Sequence, residues 1–132
     1  MSGPSLAEVL SAIPYSGFLG VEAAPEGEAA DTVMRFSQKL VGNPMLPALH
    51  GGSIAGFMEL SAVAVLATRV GRAKPIDVSV AYLRSGKPVD VWARAEIRKV
   101  GRRIAYVHVL AWQDDIEAPT AEMTAHFLLA HD

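Results

Sequence analysis

The sequence predicts an α+β domain in which a curved antiparallel sheet of about six strands wraps one long helix. Three observations predict it. The run from Gly51 to Val70 is apolar on every side apart from Ser53, Glu59, Ser61, Thr68 and, at its end, Arg69, as befits a helix at the centre of a fold. Four runs of alternation follow it, and two more strand-like segments precede it. Finally, the 132 residues, 51% hydrophobic, suit a single domain with one core. A sheet can cover a helix that is apolar all round only by curling about it.

Taken in order, Ser5 stands before Leu6, Val9, Leu10 and Ile13, with Glu8 three residues after it. That is the capping-box spacing, and it predicts a short helix ending before Pro14. Gly17–Ala24 and Asp31–Leu40 read as a hairpin of two strands around the turn signal Pro25–Gly27. Val41 to His50 holds a glycine and two prolines and reads as an ordered loop rather than an element. The long helix comes next. The strands Ile76–Arg84, Val89–Arg98, Arg103–Gln113 and Thr120–His131 complete the chain. Their short connections make neighbours antiparallel. In the third of these both faces are largely apolar, which predicts cover on each side. With no repeat and no long linker, residues 1–132 read as one domain.

Composition narrows the function. The absence of cysteine excludes a disulfide scaffold and thiol chemistry. A formal net charge of −2, with basic residues scattered, argues against nucleic acid or an anionic membrane as partner. The first residues lack a basic start and an apolar run, so a secretory signal does not fit and a cytoplasmic location is expected. Gly51–Val70 nears membrane-spanning length, but Glu59 at its middle argues for a buried helix in a soluble fold.

Two places in the chain can do chemistry. At His50-Gly51-Gly52 a loop becomes a helix, where unpaired N–H groups carry about half a positive charge. Glycines there let an oxygen approach closely, so this is a candidate oxyanion hole; the plainer alternative is a tight turn with His50 bonded to backbone. Glu59, in an otherwise apolar helix, needs compensation. Either Arg84 or Arg94 pairs with it, or it faces water, or it serves as general base or nucleophile. Gly51 and Glu59 are eight residues apart, about 12 Å along one helix. A single subunit therefore cannot bring both to one carbonyl, and two such helices packed antiparallel in a dimer would form two composite sites. Gly52 and Gly56 offer a shallow strip for that approach, or else seat the helix on its own sheet.

Other signals are weaker. Gly51-Gly-Ser53-Ile-Ala55 departs from a Gly-x-Ser-x-Gly elbow at its last position, and the chain is too short for that fold. His108, His126 and His131 lack the paired spacing of a zinc site, so no metal is expected. Arg84, Arg98, Arg102 and Arg103, with Lys87 and Lys99, fall near strand ends, where they either grip phosphates or are simply solvated. Phe57, Met58, Tyr82 and Trp112 are candidates to line a pocket at a seam between copies.

The segment His50-Gly-Gly-Ser-Ile-Ala-Gly-Phe-Met-Glu59 resembles the signature of hotdog-fold acyl-CoA thioesterases of the phenylacetate-pathway type, and the resemblance runs from Gly17 to about Leu129. It implies a sheet wrapped around the central helix, homodimers or tetramers, and hydrolysis of acyl-CoA with no cofactor beyond the CoA of the substrate. Carried over by position, Gly51 would polarise the thioester carbonyl, Glu59 of the partner subunit would attack it or activate water, and His50 would shape the helix start. Asn43 is similar to a loop asparagine that places water, although it lies seven residues before His50 where the relatives have six. Pro75 stands where some relatives carry a serine. The resemblance also admits a non-hydrolytic acyl-CoA or acyl-carrier binding dimer. A hydratase would call for an Asp and His pair, and only His50 is present.

Overall fold

The structure, a computed structural model, describes residues 3–130. The first helix, α1 (Leu6–Ser11), is capped as its spacing predicts: the Glu8 N–H donates to Ser5 Oγ at 3.1 Å and the Ser5 N–H to Glu8 Oε1 at 3.0 Å. The Ser5 backbone bond, and then its hydroxyl, hold the Glu8 carboxyl below its ordinary pKa. A second helix, α2 (Pro14–Leu19), takes the place of the first half of the strand expected from Gly17. Pro14 presets the helical φ of its first turn. Gly20, at φ 77°, ends it in the left-handed conformation that favours glycine. Strand β1 is left with Val21–Ala23.

It pairs antiparallel with β2 (Thr32–Met34), as a hairpin should, but β2 is also shorter than Asp31–Leu40. Beyond Met34 the Phe36 N–H goes to the Asp90 carboxylate at 2.7 Å instead of to a strand, and Arg35 binds the same carboxylate at 3.1 Å. A 3₁₀ turn over Gln38–Leu40 follows. The segment 41–50 is more regular than its prolines suggest. It forms a two-stranded ribbon of β3 (Val41–Asn43) and β4 (Ala48–Leu49), with Pro44 and Pro47 confined to the turn between them.

The long helix, α3 (Gly51–Arg69), is followed by β5 (Ala73–Tyr82), β6 (Val91–Val100), β7 (Ile104–Trp112) and β8 (Ala121–Leu129). His131, the expected end of the last strand, lies outside the described residues. The main sheet has six strands in the order β1-β2-β6-β7-β8-β5, all antiparallel. Strands β5 and β6 are therefore not neighbours, despite their short connection. The chain between them crosses the sheet end under the β7–β8 loop. Arg84 donates to the Pro119 carbonyl, the Lys87 N–H to Gln113 Oε1, and Gln113 Nε2 back to the Lys87 carbonyl.

The concave face of the sheet buries Ala93, Ala95, Val107, Val109, Met123, Ala125 and Phe127 with Phe57, Met58, Leu66 and Val65 of α3. Small alanines on the strands let a helix seat closely. Among the described residues no second layer covers Tyr106, His108 and Leu110 on the outer face of β7, contrary to expectation. They are half-buried by flanking side chains of the sheet itself.

Candidate active site

His50 is the N-cap of α3, and its ring Nδ1 accepts the Gly52 N–H at 2.9 Å. The neutral ring then carries its proton on Nε2. The His50 N–H donates to the Leu40 carbonyl at 2.8 Å, which ties the helix start to the turn before β3. Sequence reading missed a residue here. A Cβ on Gly42 would lie 2.9 Å from His50 Cα, Cβ and Cδ2, so β3 can pass this close to His50 only as glycine. A loop glycine eight residues upstream carries no signal of that contact. With Gly52 capped by the ring and Ser53 and Ile54 bonded to the His50 carbonyl, the Gly51 N–H has no acceptor among the described residues. The plain capping role and the free N–H occur together, so the two alternatives read from sequence are not exclusive.

Tyr82, at the end of β5, closes over this helix start. Its hydroxyl donates to the Gly51 carbonyl at 2.8 Å, and its ring would stand 3.1–3.3 Å from a Cβ at position 51. The two residues border a cleft of about 330 Å³ that Leu49, Ile54 and Arg84 also line. Tyr82 itself remains 53% exposed.

Glu59 is half-buried. Neither Arg84 nor Arg94 pairs with it, and no ion pair or hydrogen bond to its carboxylate occurs among the described residues. It sits on the one stripe of α3 that the sheet leaves uncovered, with Gly52, Ala55, Val63 and Ala67. The expected glycine strip is partly filled from within the chain: Tyr15 and Leu19 of α2 stand 3.5 Å from a Cβ at Gly56. Phe57 and Met58, expected to line a pocket, are fully buried in the core, because they fall on the side of α3 that faces the sheet. Trp112 is 8% exposed.

The other candidates fall elsewhere. Asn43 Oδ1 accepts the Met45 N–H at 3.0 Å and closes the β3–β4 turn. Ser53 Oγ donates to the His50 carbonyl at 2.7 Å and supports the helix start. The basic residues do not form one cluster. Arg84 and Lys87 flank the end of the sheet near Gly51, whereas Arg98, Lys99, Arg102 and Arg103 surround the β6–β7 turn at the other end, the full length of β8 away, roughly 26 Å. On the outer sheet face His126 Nδ1 meets Asp77 Oδ1 at 2.8 Å with its ring against Tyr106, and His108 Nε2 meets Glu122 Oε1 at 2.9 Å.

The family model of the acyl-CoA thioesterase N-terminal domain matches residues 42–128, from the ribbon before α3 to the end of the sheet. The chain belongs to this thioesterase family, and its sheet curled around a central helix is the family's hotdog fold. The medium/long-chain acyl-CoA thioesterase YigI of Escherichia coli is 28% identical to it, over 74% of each chain. A protein of known crystal structure from Chromobacterium violaceum is 39% identical, covering 96% of this chain and 90% of its own, with a TM-score of 0.71. A thioesterase family protein from Silicibacter pomeroyi superposes with a TM-score of 0.81 over 97% of each chain, at 16% identity. This protein is a thioesterase.

Proposed function

We propose that the protein hydrolyses acyl-CoA at two composite sites of a homodimer, each built from Gly51 of one copy and Glu59 of the other. The observation that carries the reading is the unpartnered Glu59 carboxylate on an apolar stripe of the same helix whose first N–H is free. A half-buried carboxylate without a counter-charge is costly to keep. Such arrangements concentrate at sites that do chemistry. The spacing of about 12 Å between the two groups requires a second copy. Edge strand β5 offers a place for one: it is unpaired on one side and exposes Ile76 and Val78. Met45 and Leu46, at the turn beside the helix start, are 90% and 67% exposed and suit the same contact.

In the reaction the thioester oxygen accepts the Gly51 N–H at the positive end of α3, where negative charge develops as the carbonyl carbon becomes tetrahedral. Glu59 either adds to that carbon, giving an anhydride that water then opens, or takes a proton from the water that adds. The C–S bond breaks, the thiolate of CoA leaves and is protonated, and the free acid remains. The cap set by His50 and Gly42 and the Tyr82 lock on the Gly51 carbonyl hold the N–H in place. Arg84, on the rim of the same cleft and bonded to the Pro119 carbonyl, is the residue this reading assigns to a phosphate of CoA.

The test is release of free thiol from a panel of acyl-CoAs, by wild type and Glu59→Gln. The expected result is turnover by wild type and a loss of several orders of magnitude in the variant, with the oligomer intact. Equal rates would remove Glu59 from the chemistry, and a silent panel with measurable acyl-CoA binding would favour a carrier.

A further inference from the structure

The end of the sheet opposite Gly51 gathers basic side chains that lie apart in the sequence. The Leu129 N–H donates to the Arg103 carbonyl and the Ala130 N–H to the Arg72 carbonyl, so the β6–β7 turn, the end of β8 and the start of β5 meet there. Arg72, Lys74, Arg98, Lys99, Arg102 and Arg103 are all exposed at this end, half of the 12 lysines and arginines of the chain. From Glu96 to Trp112 the sequence holds no carboxylate but Glu96, which pairs with Arg98 at 3.1 Å. Asp77 of β5 is engaged by His126. Lys99 and Arg103 have no ion pair among the described residues. Exposed carboxylates, those of Asp114, Asp115 and Glu117, sit in the β7–β8 loop at the far end of the same strands. A formal net charge of −2 is thus compatible with one strongly basic end.

Aliphatic side chains stand among these charges. Val100 and Ile104, on either side of Gly101-Arg102-Arg103, are 49% and 45% exposed, and Leu128, which pairs with Ile104 across β7 and β8, is 37% exposed. Val100 is in register with the inward-facing Ala105, whereas Ile104 and Leu128 lie on the outer face, so the turn carries aliphatic groups on both of its sides. We infer that the β6–β7 turn is a docking tip for an anionic lipid bilayer: Val100 and Ile104 enter the headgroup boundary end-on, while Lys99, Arg102 and Arg103 meet the lipid phosphates and carboxylates. The inference is independent of the thioesterase reading. Residues 98–104 are exposed throughout, and aliphatic groups on both sides of such a turn suit a fluid surface that closes around them, where a rigid protein partner would need a matching slot. Nucleic acid offers phosphates to the arginines but nothing to Val100 and Ile104. A second copy of the same tip would bring like charges together. The basic residues are scattered along the chain, which argued against such a partner; folding supplies the concentration that their spacing does not display.

The test is co-sedimentation of the full chain with phosphatidylcholine vesicles, plain or with about a quarter phosphatidylserine, at about 0.1 M salt. Anionic vesicles are expected to bind it at least about twentyfold more tightly than neutral ones, since each basic side chain at the surface contributes about fivefold. Lys99→Gln with Arg103→Gln should remove most of that difference, and so should about 0.5 M salt. Val100→Ser with Ile104→Ser, which keeps every charge, should weaken binding to anionic vesicles at least about tenfold. Val100→Trp gives an independent readout: a blue shift relative to wild type, and quenching by brominated lipid, on anionic vesicles only. Melting temperatures confirm that the variants are folded. Binding to neither vesicle, or binding that both double variants leave unchanged, overturns the inference. A loss with the charge variant but not with the aliphatic one also overturns it, because the turn would then recognise polyanions such as nucleic acid or an acidic protein surface. So does a change of oligomeric state in the aliphatic variant with vesicle binding unaltered, which would assign the tip to a contact between copies.

Discussion

His50 accepts the Gly52 N–H on its ring Nδ1 at 2.9 Å, and by doing so it caps α3 while leaving the Gly51 N–H unbonded. One side chain thus ends the orphan-donor problem of the second N–H and leaves the first unbonded among the described residues. His50→Ala is expected to destabilise the protein by about 1 kcal/mol, the usual worth of an N-cap, and His50→Asn to restore most of it. Thermal unfolding of the three proteins checks this.

Gly42→Ala introduces a methyl 2.9 Å from the backbone and ring of His50, a contact that only a shift of β3 or of the helix start can relieve. A loss of about 1–3 kcal/mol in stability is expected. The same variant should lose thiol release at temperatures where it remains folded. Unchanged stability and activity would show that the ribbon does not position the helix start.

Gly51→Ala keeps the N–H but places a Cβ 3.1 Å from the Tyr82 ring. Crowding, not loss of the donor, is then the expected cause of its lower kcat/KM. Adding Tyr82→Ala removes the ring and should recover part of the rate. Steady-state kinetics of the single and double variants separate the two causes.

In the core, Thr32 and Ser61 share a buried hydrogen bond of 2.7 Å between β2 and α3, and Ser61 Oγ donates onward to the Phe57 carbonyl at 2.8 Å. Ser61→Ala strands the Thr32 hydroxyl, at a cost of about 1–3 kcal/mol. Pairing it with Thr32→Val removes both hydroxyls and should cost less than Ser61→Ala alone. Denaturant unfolding of the cycle measures the coupling.

Acid sensitivity has a local source. The His126 ring bond to Asp77 holds that carboxyl below its ordinary pKa, with its coulombic attraction and backbone N–H adding to the effect. A carboxyl depressed in the folded state stabilises fully above its unfolded pKa, and the contribution is lost as pH falls through the folded value. Stability should therefore decline below about pH 4, and Asp77→Asn should flatten part of that decline. Melting temperature against pH for the two proteins tests the sign.

Much of this was legible in the residues themselves. The capping box at Ser5 and Glu8, the apolar helix and the last three strands follow from periodicity and end signals, because each is a local pattern whose burial the fold then satisfies. The misread segments are those where distant partners decide. Asp90 takes the Phe36 N–H and ends β2, Gly20 stops a helix where a strand reading began, and β5 leaves its chain neighbour for β8. At the site, Glu59 and Gly51 stand out as an acid and a bare amide in an apolar helix. The contact of Gly42 with His50 and the division of the arginines between two sheet ends depend on folding geometry that no spacing encodes.

The composite site is tested most directly by mixing two defective copies. Gly51→Pro removes the N–H at a first helical position, where the extended φ −69°, ψ 131° of His50 suits a residue before proline, and its Cβ meets the same Tyr82 ring as that of Gly51→Ala, which serves as the control for crowding. Glu59→Gln removes the carboxylate. Each variant alone should be inactive, while a mixed dimer would hold one site with both lesions and one intact. Dissociating and reassociating them in equal amounts should restore about a quarter of wild-type thiol release, since about half the dimers are mixed and each has one working site. No recovery, with mixed dimers demonstrably formed, would contradict a site shared between copies.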